Sequence, residues 1–272
     1  MSLKGLHLTD RDIDIFKYLA YGPAFSDDLH ARFFVRGGGL ASQEAFRRRM
    51  RKLLKDQYIG CLQLRKMPGK ILKIHKPVYA IAELGIETLV SLSILPIERI
   101  RRVQLTPPTL FHEITLTRLV RRIYEGEPRR YQVIRLYDHG ILAKQAQKVR
   151  VKRIPDLRFT VQLPHGSYYS FLVEIDAGST HPPEFVQKVV AFLQLHRVLA
   201  PVNSKGTITI LIVCHTADRM EELQRAVMES HVTIKLWNSF LFNTIQNIDN
   251  SLGLLNPWYK TNRGKVDTNF KG

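Results

Sequence analysis

Apolar residues recur every three or four positions early in the chain. Ile13, Phe16, Leu19 and Ala20 fall on one stripe, which predicts a helix. Thr9 with Asp12 approximates a capping box at its start, and Gly22-Pro23 stops it. Ser26 is expected to cap a short second helix, DDLHARFF, with acids in its first turn. Ser42 is expected to cap a third, QEAFRRRMRKLLKD. There Phe46, Met50, Leu53 and Leu54 point inward, and Arg47, Arg48, Arg51 and Lys55 lie largely outside that stripe. Two β-rich runs follow, around the turn signal Met67-Pro68-Gly69-Lys70. Lys66, Lys70, Lys73 and Lys76 decorate this hairpin, and AELGIETLVSL reads as a fourth helix opened by Glu83.

The pattern breaks at Pro107-Pro108, which oppose both helix and central strand. Beyond it, Leu116, Leu119, Val120 and Ile123 make the stripe of a helix that His112-Glu113 opens. A strand, YQVIRLY, comes next. Two more, LRFTVQL and YYSFLVEID, flank a turn at Pro164-His165-Gly166-Ser167. A helix over 182–199, the nearly all-apolar strand TITILIVC, the helix ADRMEELQRAVMES and the strand VTIKLW complete the order. Trp237 and Phe240 read as core aromatics. The order α-β-β-β-α-β-α-β implies an α/β sandwich on a mixed sheet, with TITILIVC covered on both faces. The expected organisation is 1–105, 106–250 and a polar, basic, mobile tail over 251–272.

Charge changes the picture. Lys and Arg number 41 and Asp and Glu 24, a formal charge of +17. It divides evenly, +9 in residues 1–105 and +8 in 106–272, so both halves are expected to face a polyanion. Residues 129–158 are densest, with nine basic residues against Asp138 and Asp156. No apolar run is long enough for a membrane span, and MSLKGLHLTD lacks the apolar core of a signal peptide. Cys61 and Cys214, each in an apolar run, read as buried thiols. A cytoplasmic protein that meets double-stranded DNA is the expectation, with a homodimer reading two half-sites as one arrangement.

Two constellations carry candidate chemistry. Helix, helix, basic helix and basic hairpin is the order of a winged helix-turn-helix. In that reading Arg47, Arg48, Arg51 and Lys55 enter a major groove while Lys66, Lys70 and Lys73 touch phosphates. A solvated basic face and a protein-binding winged helix are the blander alternatives. The second constellation is acidic. Glu174 and Asp176 are two apart on a strand and project to one face, and Asp156 enters from the neighbouring strand. Three such carboxylates must bind a cation, share a proton or pair with basic side chains such as Arg153 or Lys188.

Pro155-Asp156, a hairpin, then Glu174-Ile175-Asp176 resembles the PD-(D/E)xK nuclease superfamily, with Asp176 where that pattern has lysine. The resemblance implies Glu113 as an acid from the preceding helix and Lys188 as a substitute lysine. With Leu8-Thr9-Asp10-Arg11-Asp12, His112-Glu113, Glu174 to Thr180, Lys188 and Phe192, the chain over roughly 8–200 resembles the replication-relaxation family of plasmids and mobile elements. Ala177 stands where that family often has a basic residue, and Phe192 where it often has tyrosine. The fold expected is thus α+β: an N-terminal winged helix-turn-helix, then an α/β domain with a mixed sheet resembling the PD-(D/E)xK fold. The resemblance implies DNA binding in replication control, transfer or transcription. Two readings of the second domain stay open. In one it does not cleave. In the other it is a Mg²⁺-dependent endonuclease or nickase, in which Asp156 and Glu174 hold the metal and Glu113, Asp176 and Lys188 complete the site. A protein-interaction module is a third reading of the chain.

Overall fold

The structure, a computed structural model, describes residues 6–35, 43–62, 76–101, 103, 109–125, 131–176, 178, 180–199, 208–231, 233, 239–249, 258–260 and 265–266. The chain forms two compact units, residues 1–117 and 118–272, which part within a helix.

In the first unit, α1 (Asp10–Ala20) starts at a complete capping box. Thr9 accepts from the Asp12 N–H, and Asp12 accepts from the Thr9 N–H at 2.7 Å. Gly22 ends it with φ +131, a backbone conformation that an L side chain rarely adopts. A two-residue strand, β1 (Ala24–Phe25), precedes α2 (Ser26–His30). Ser26 is not the expected cap. It is the first residue of α2, its N–H bonds Pro77 O at 2.9 Å, and its hydroxyl donates to Asp27 Oδ1. Phe25, the last residue of β1, takes the cap position, so the helix begins one residue earlier than expected. A π-helical turn, Ala31–Val35, extends it.

The third helix, α3 (Gln43–Lys55), buries Phe46, Met50 and Leu53. Strands β2 (Ile59–Leu62) and β3 (Val78–Ile81) pair antiparallel, and β1 joins β3 on the other side. Helix α4 (Glu83–Ser91) follows, and a 3-10 turn spans Ile97–Arg99. Phe16, Leu19, Leu29, Phe46, Met50 and Leu89 lie in one core that ties the helices together. Gly85 lets α4 approach β2, because a Cβ there would sit 2.4 Å from Tyr58 O. The turn of the expected hairpin, with Lys66, Lys70 and Lys73, lies outside the described residues, as does Ser42.

Helix α5 (Leu110–Glu125) runs across the division between the units. The second unit is built on a mixed sheet in the order β10-β9-β8-β7-β6-β5-β4. Strands β4 (Gln132–Asp138), β5 (Leu157–Gln162) and β6 (Tyr168–Asp176) form an antiparallel set. The β5–β6 turn closes with Gly166 N–H to Leu163 O at 2.8 Å, Gly166 having φ +89. Phe159 and Phe171 face each other across this pair, stacked at 4.7 Å. Helix α7 (Pro182–Leu199) then carries the chain to β7 (Ile208–Cys214), parallel to β6. Helix α8 (Ala217–Glu229) leads to β8 (Phe240–Thr244), parallel to β7.

Parallel central strands need crossover helices and cover on both faces, and the wholly buried run Ile210 to Cys214 meets that requirement. Phe185, Val189 and Phe192 of α7 and Leu223 and Val227 of α8 pack on Leu172, Ile210, Ile212, Phe240 and Phe242.

Four further differences from the sequence expectations stand out. A helix, α6 (His139–Lys148), intervenes between β4 and β5, capped by Asp138 through the Ile141 N–H at 3.1 Å. The strand expected in VTIKLW falls on residues mostly outside the described set, and the described strand is β8, with Phe240 fully buried. A short helix, α9 (Ile245–Asp249), follows β8. The segment expected as a mobile tail supplies β9 (Trp258–Lys260) and β10 (Lys265–Val266), which extend the sheet beside β8.

Candidate nucleic-acid interface and the buried acids

Helix α3 turns by about 100° per residue, so Arg47, Arg51, Lys55 and Arg48 fall within an arc of roughly 100°. All four are exposed, while Phe46 and Leu53 on the other side are buried. Lys52 is exposed at the margin of that arc. Arg51 Nε donates to Arg47 O at 3.3 Å, which holds one side chain along the helix. A cleft of about 220 Å³ opens beside α3, walled by Arg11, Arg48, Arg49 and Lys52 together with Thr9, Asp12 and Phe34. Arg11 lies over the Phe34 ring at 4.8 Å.

Arg49 has a different role from its neighbours. Its Nε donates to Asp12 Oδ1 at 2.8 Å, and its Nη2 reaches Asp12 Oδ2 and His7 O. Burial of Asp12 works to raise its pKa, but the bonds from Arg49 and Thr9 outweigh it and hold the carboxyl below the usual range. Asp12 thus caps α1 and pins α3 to it. Lys76, on the expected hairpin, is bonded to Asp27.

Glu113 sits in the first unit. Arg101 Nη2 donates to it at 3.1 Å, and Arg101 also donates to Tyr21 O and to Thr117 Oγ1. Burial pushes the Glu113 carboxyl up, but His112 and Arg101 bring it below its ordinary value. This is the geometry of a structural tie.

The acids of the second unit are each held. Glu174 and Asp176 share the sheet face of Leu172, beneath α7 and α8, and each is 3% exposed. Asp156 stands just ahead of β5, where its N–H bonds Val173 O and its Oδ2 accepts the Ile175 N–H at 2.7 Å. Lys188, from the first half of α7, is bonded to Glu174 Oε1, with its ammonium also 5.9 Å from the Phe192 ring. Asp176 accepts a fork from Arg219, Nε at 2.7 Å and Nη2 at 3.2 Å, and the Gly178 N–H at 3.1 Å. Arg219 further reaches Thr180 O and Glu222, and this set of acceptors raises its pKa.

Arg153, expected to pair with the acids, instead donates to Glu184 O at 2.9 Å. Arg219 takes that place. The sequence does carry a signal for it: a cation in the first turn of a helix opposes the helix dipole and calls for a compensating anion. Two carboxylates can hold Mg²⁺ when substrate phosphate and water supply the remaining oxygens. Here Asp156 and Glu174 already carry protein donors, and among the described residues no three His, Cys, Asp or Glu side chains are grouped to hold a metal.

Cys214 pairs with Asp176 across β6 and β7, its thiol pushed up to about 12 by burial and then by Asp176. Cys61 is half-buried, and burial raises its thiol as well. Among the described residues no helix is long and apolar enough to cross a membrane. Comparison with family models, with curated proteins and with solved structures finds no match to this chain.

Proposed function

We propose that the protein binds double-stranded DNA through α3, and that its second unit is a nuclease-like scaffold that does not cleave. The observation that carries the reading is the exposed arc of Arg47, Arg48, Arg51 and Lys55 on a helix whose opposite face is core. Such a helix can offer donors to base edges and phosphates along one line. The order of α1, α2, α3 and the β2–β3 pair supports a winged helix-turn-helix, for which the sequence around Lys66, Lys70 and Lys73 is the expected wing. The order α5, β4, β5, β6, α7 and β7, with α6 inserted between β4 and β5, supports a PD-(D/E)xK-like second unit.

The reading without cleavage follows from charge. Lys188 and Arg219 satisfy Glu174 and Asp176 inside the protein, so the acids need no metal to offset their repulsion. Asp176 also places a carboxylate where the nuclease pattern has its phosphate-facing lysine. A role in plasmid or mobile-element replication control, transfer or transcription rests on the resemblance to the replication-relaxation family.

The second reading, a Mg²⁺-dependent endonuclease, is favoured by Lys188 lying against Glu174 as a substitute lysine would. Incubation of supercoiled plasmid with the protein and Mg²⁺ or Mn²⁺ separates the two. The binding reading predicts that the plasmid stays supercoiled while a gel shift survives Asp156→Ala. Nicking that Asp156→Ala abolishes would establish the enzyme instead.

A further inference from the structure

We propose that α6 and the segment leading from it into β5 form a second docking ledge for duplex phosphates, separate from α3. The inference rests on the DNA-binding reading and adds a contact surface in the second unit. Between residues 131 and 155 stand Arg135, Lys144, Lys148, Arg150, Lys152 and Arg153, against one acid, Asp138. Asp138 is occupied as the cap of α6. All six cations are exposed. Lys144 and Lys148 are one turn apart on one side of α6, while Leu142 and Ala146 on the other side are buried. Arg153 is fastened to Glu184 O at the start of α7, which fixes the far end of the ledge.

Arg150 places a cation at a defined point on this surface. It closes α6 in the left-handed conformation, φ 56, with Val151 N–H on Ala146 O at 3.1 Å and Arg150 N–H on Gln147 O at 3.4 Å. That is the Schellman geometry, whose left-handed position glycine fills without strain. Gln57 after α3 and Ser93 after α4 adopt the same closure without a charge, so what Arg150 adds is an exposed guanidinium at the end of α6. A positive charge also suits a helix C-terminus, but Lys148 in the last turn already provides one. An anionic membrane is the poorer match, because Ile141 is the one large apolar residue exposed among the described residues of α6.

The test titrates the full chain against a labelled duplex over a range of salt. Three variants accompany the wild type: Lys144→Gln/Lys148→Gln/Arg150→Gly, Arg150→Gly alone, and Arg47→Ala/Arg51→Ala. The triple variant is expected to lose affinity on the order of a hundredfold at ~0.1 M salt, with the log–log salt slope reduced by about 3. Arg150→Gly alone should reduce the slope by about 1 without lowering the thermal midpoint. Wild-type affinity and slope in both ledge variants, with binding lost in the α3 variant, would overturn the ledge and leave the α3 reading standing. No duplex binding by the wild type would remove both. Binding to phosphatidylserine vesicles that only the ledge variants lose, with duplex binding intact, would assign the ledge to a membrane and overturn the proposal.

Discussion

Arg219 and Asp176 are 43 residues apart in sequence, yet their side chains form a fork with Asp176 3% exposed. Removing one member of a buried pair strands the other charge, which costs about 3–5 kcal/mol. Arg219→Ala should therefore destabilise the protein by that order in urea unfolding. Loss below about 0.5 kcal/mol would show that Asp176 is not held as described.

His196 on α7 gives a pH dependence. Burial, and then the charge of Arg158, push it down from 6.5 to about 4. The unfolded chain takes up this proton near 6.5, while the folded chain resists it until about 4. The stability His196 contributes is thus fully present above 6.5 and is lost as pH falls towards 4. Because the ring is only about half buried, solvent screening keeps the loss by pH 5 on the order of 1 kcal/mol. Thermal midpoints measured from pH 7 to 5 should fall, and His196→Gln should flatten the fall.

At this scale the sequence is informative about residue types and poor on long-range partners. Asp156, Glu174 and Lys188 are legible because strand alternation and a helical position constrain them. The pairings Asp12–Arg49 and Asp176–Arg219 are fixed by packing between helices and strands distant in sequence.

Helices with a wide apolar stripe are readable as elements. The span 182–199 and the Leu116, Leu119, Val120 and Ile123 stripe correspond to α7 and α5. Helix α6 escapes because it buries only Leu142 and Ala146, a stripe too thin to stand out among basic residues. Its start was signalled by Asp138, a good N-cap. Strands β9 and β10 escape because segments of three and two residues hold their place by pairing, not by pattern. In α3 the two faces make opposite predictions. Phe46→Ala should cost about 3–5 kcal/mol in thermal or urea unfolding. Arg47→Ala/Arg51→Ala should change stability by no more than about 0.5 kcal/mol per site and strongly weaken the gel shift. If the double variant unfolds, the arc is structural and the assignment of α3 fails.

For the whole molecule, the +17 charge is shared almost evenly between the two halves of the sequence. The proposed polyanionic partner would use both, and duplex DNA is the one proposed for α3. Counterion release would then make affinity a steep function of salt, a signature that an uncharged protein partner does not produce. The central claim is that α3 is the docking surface. Its most direct test is fluorescence anisotropy of a labelled duplex with the wild-type chain and with Arg47→Ala/Arg51→Ala across a salt series. The account predicts tight binding at low salt, a linear fall in log affinity with log salt, and a slope shallower by about 2 in the variant. Anisotropy that stays flat for the wild type at low salt, or equal slopes for the two proteins, would contradict it.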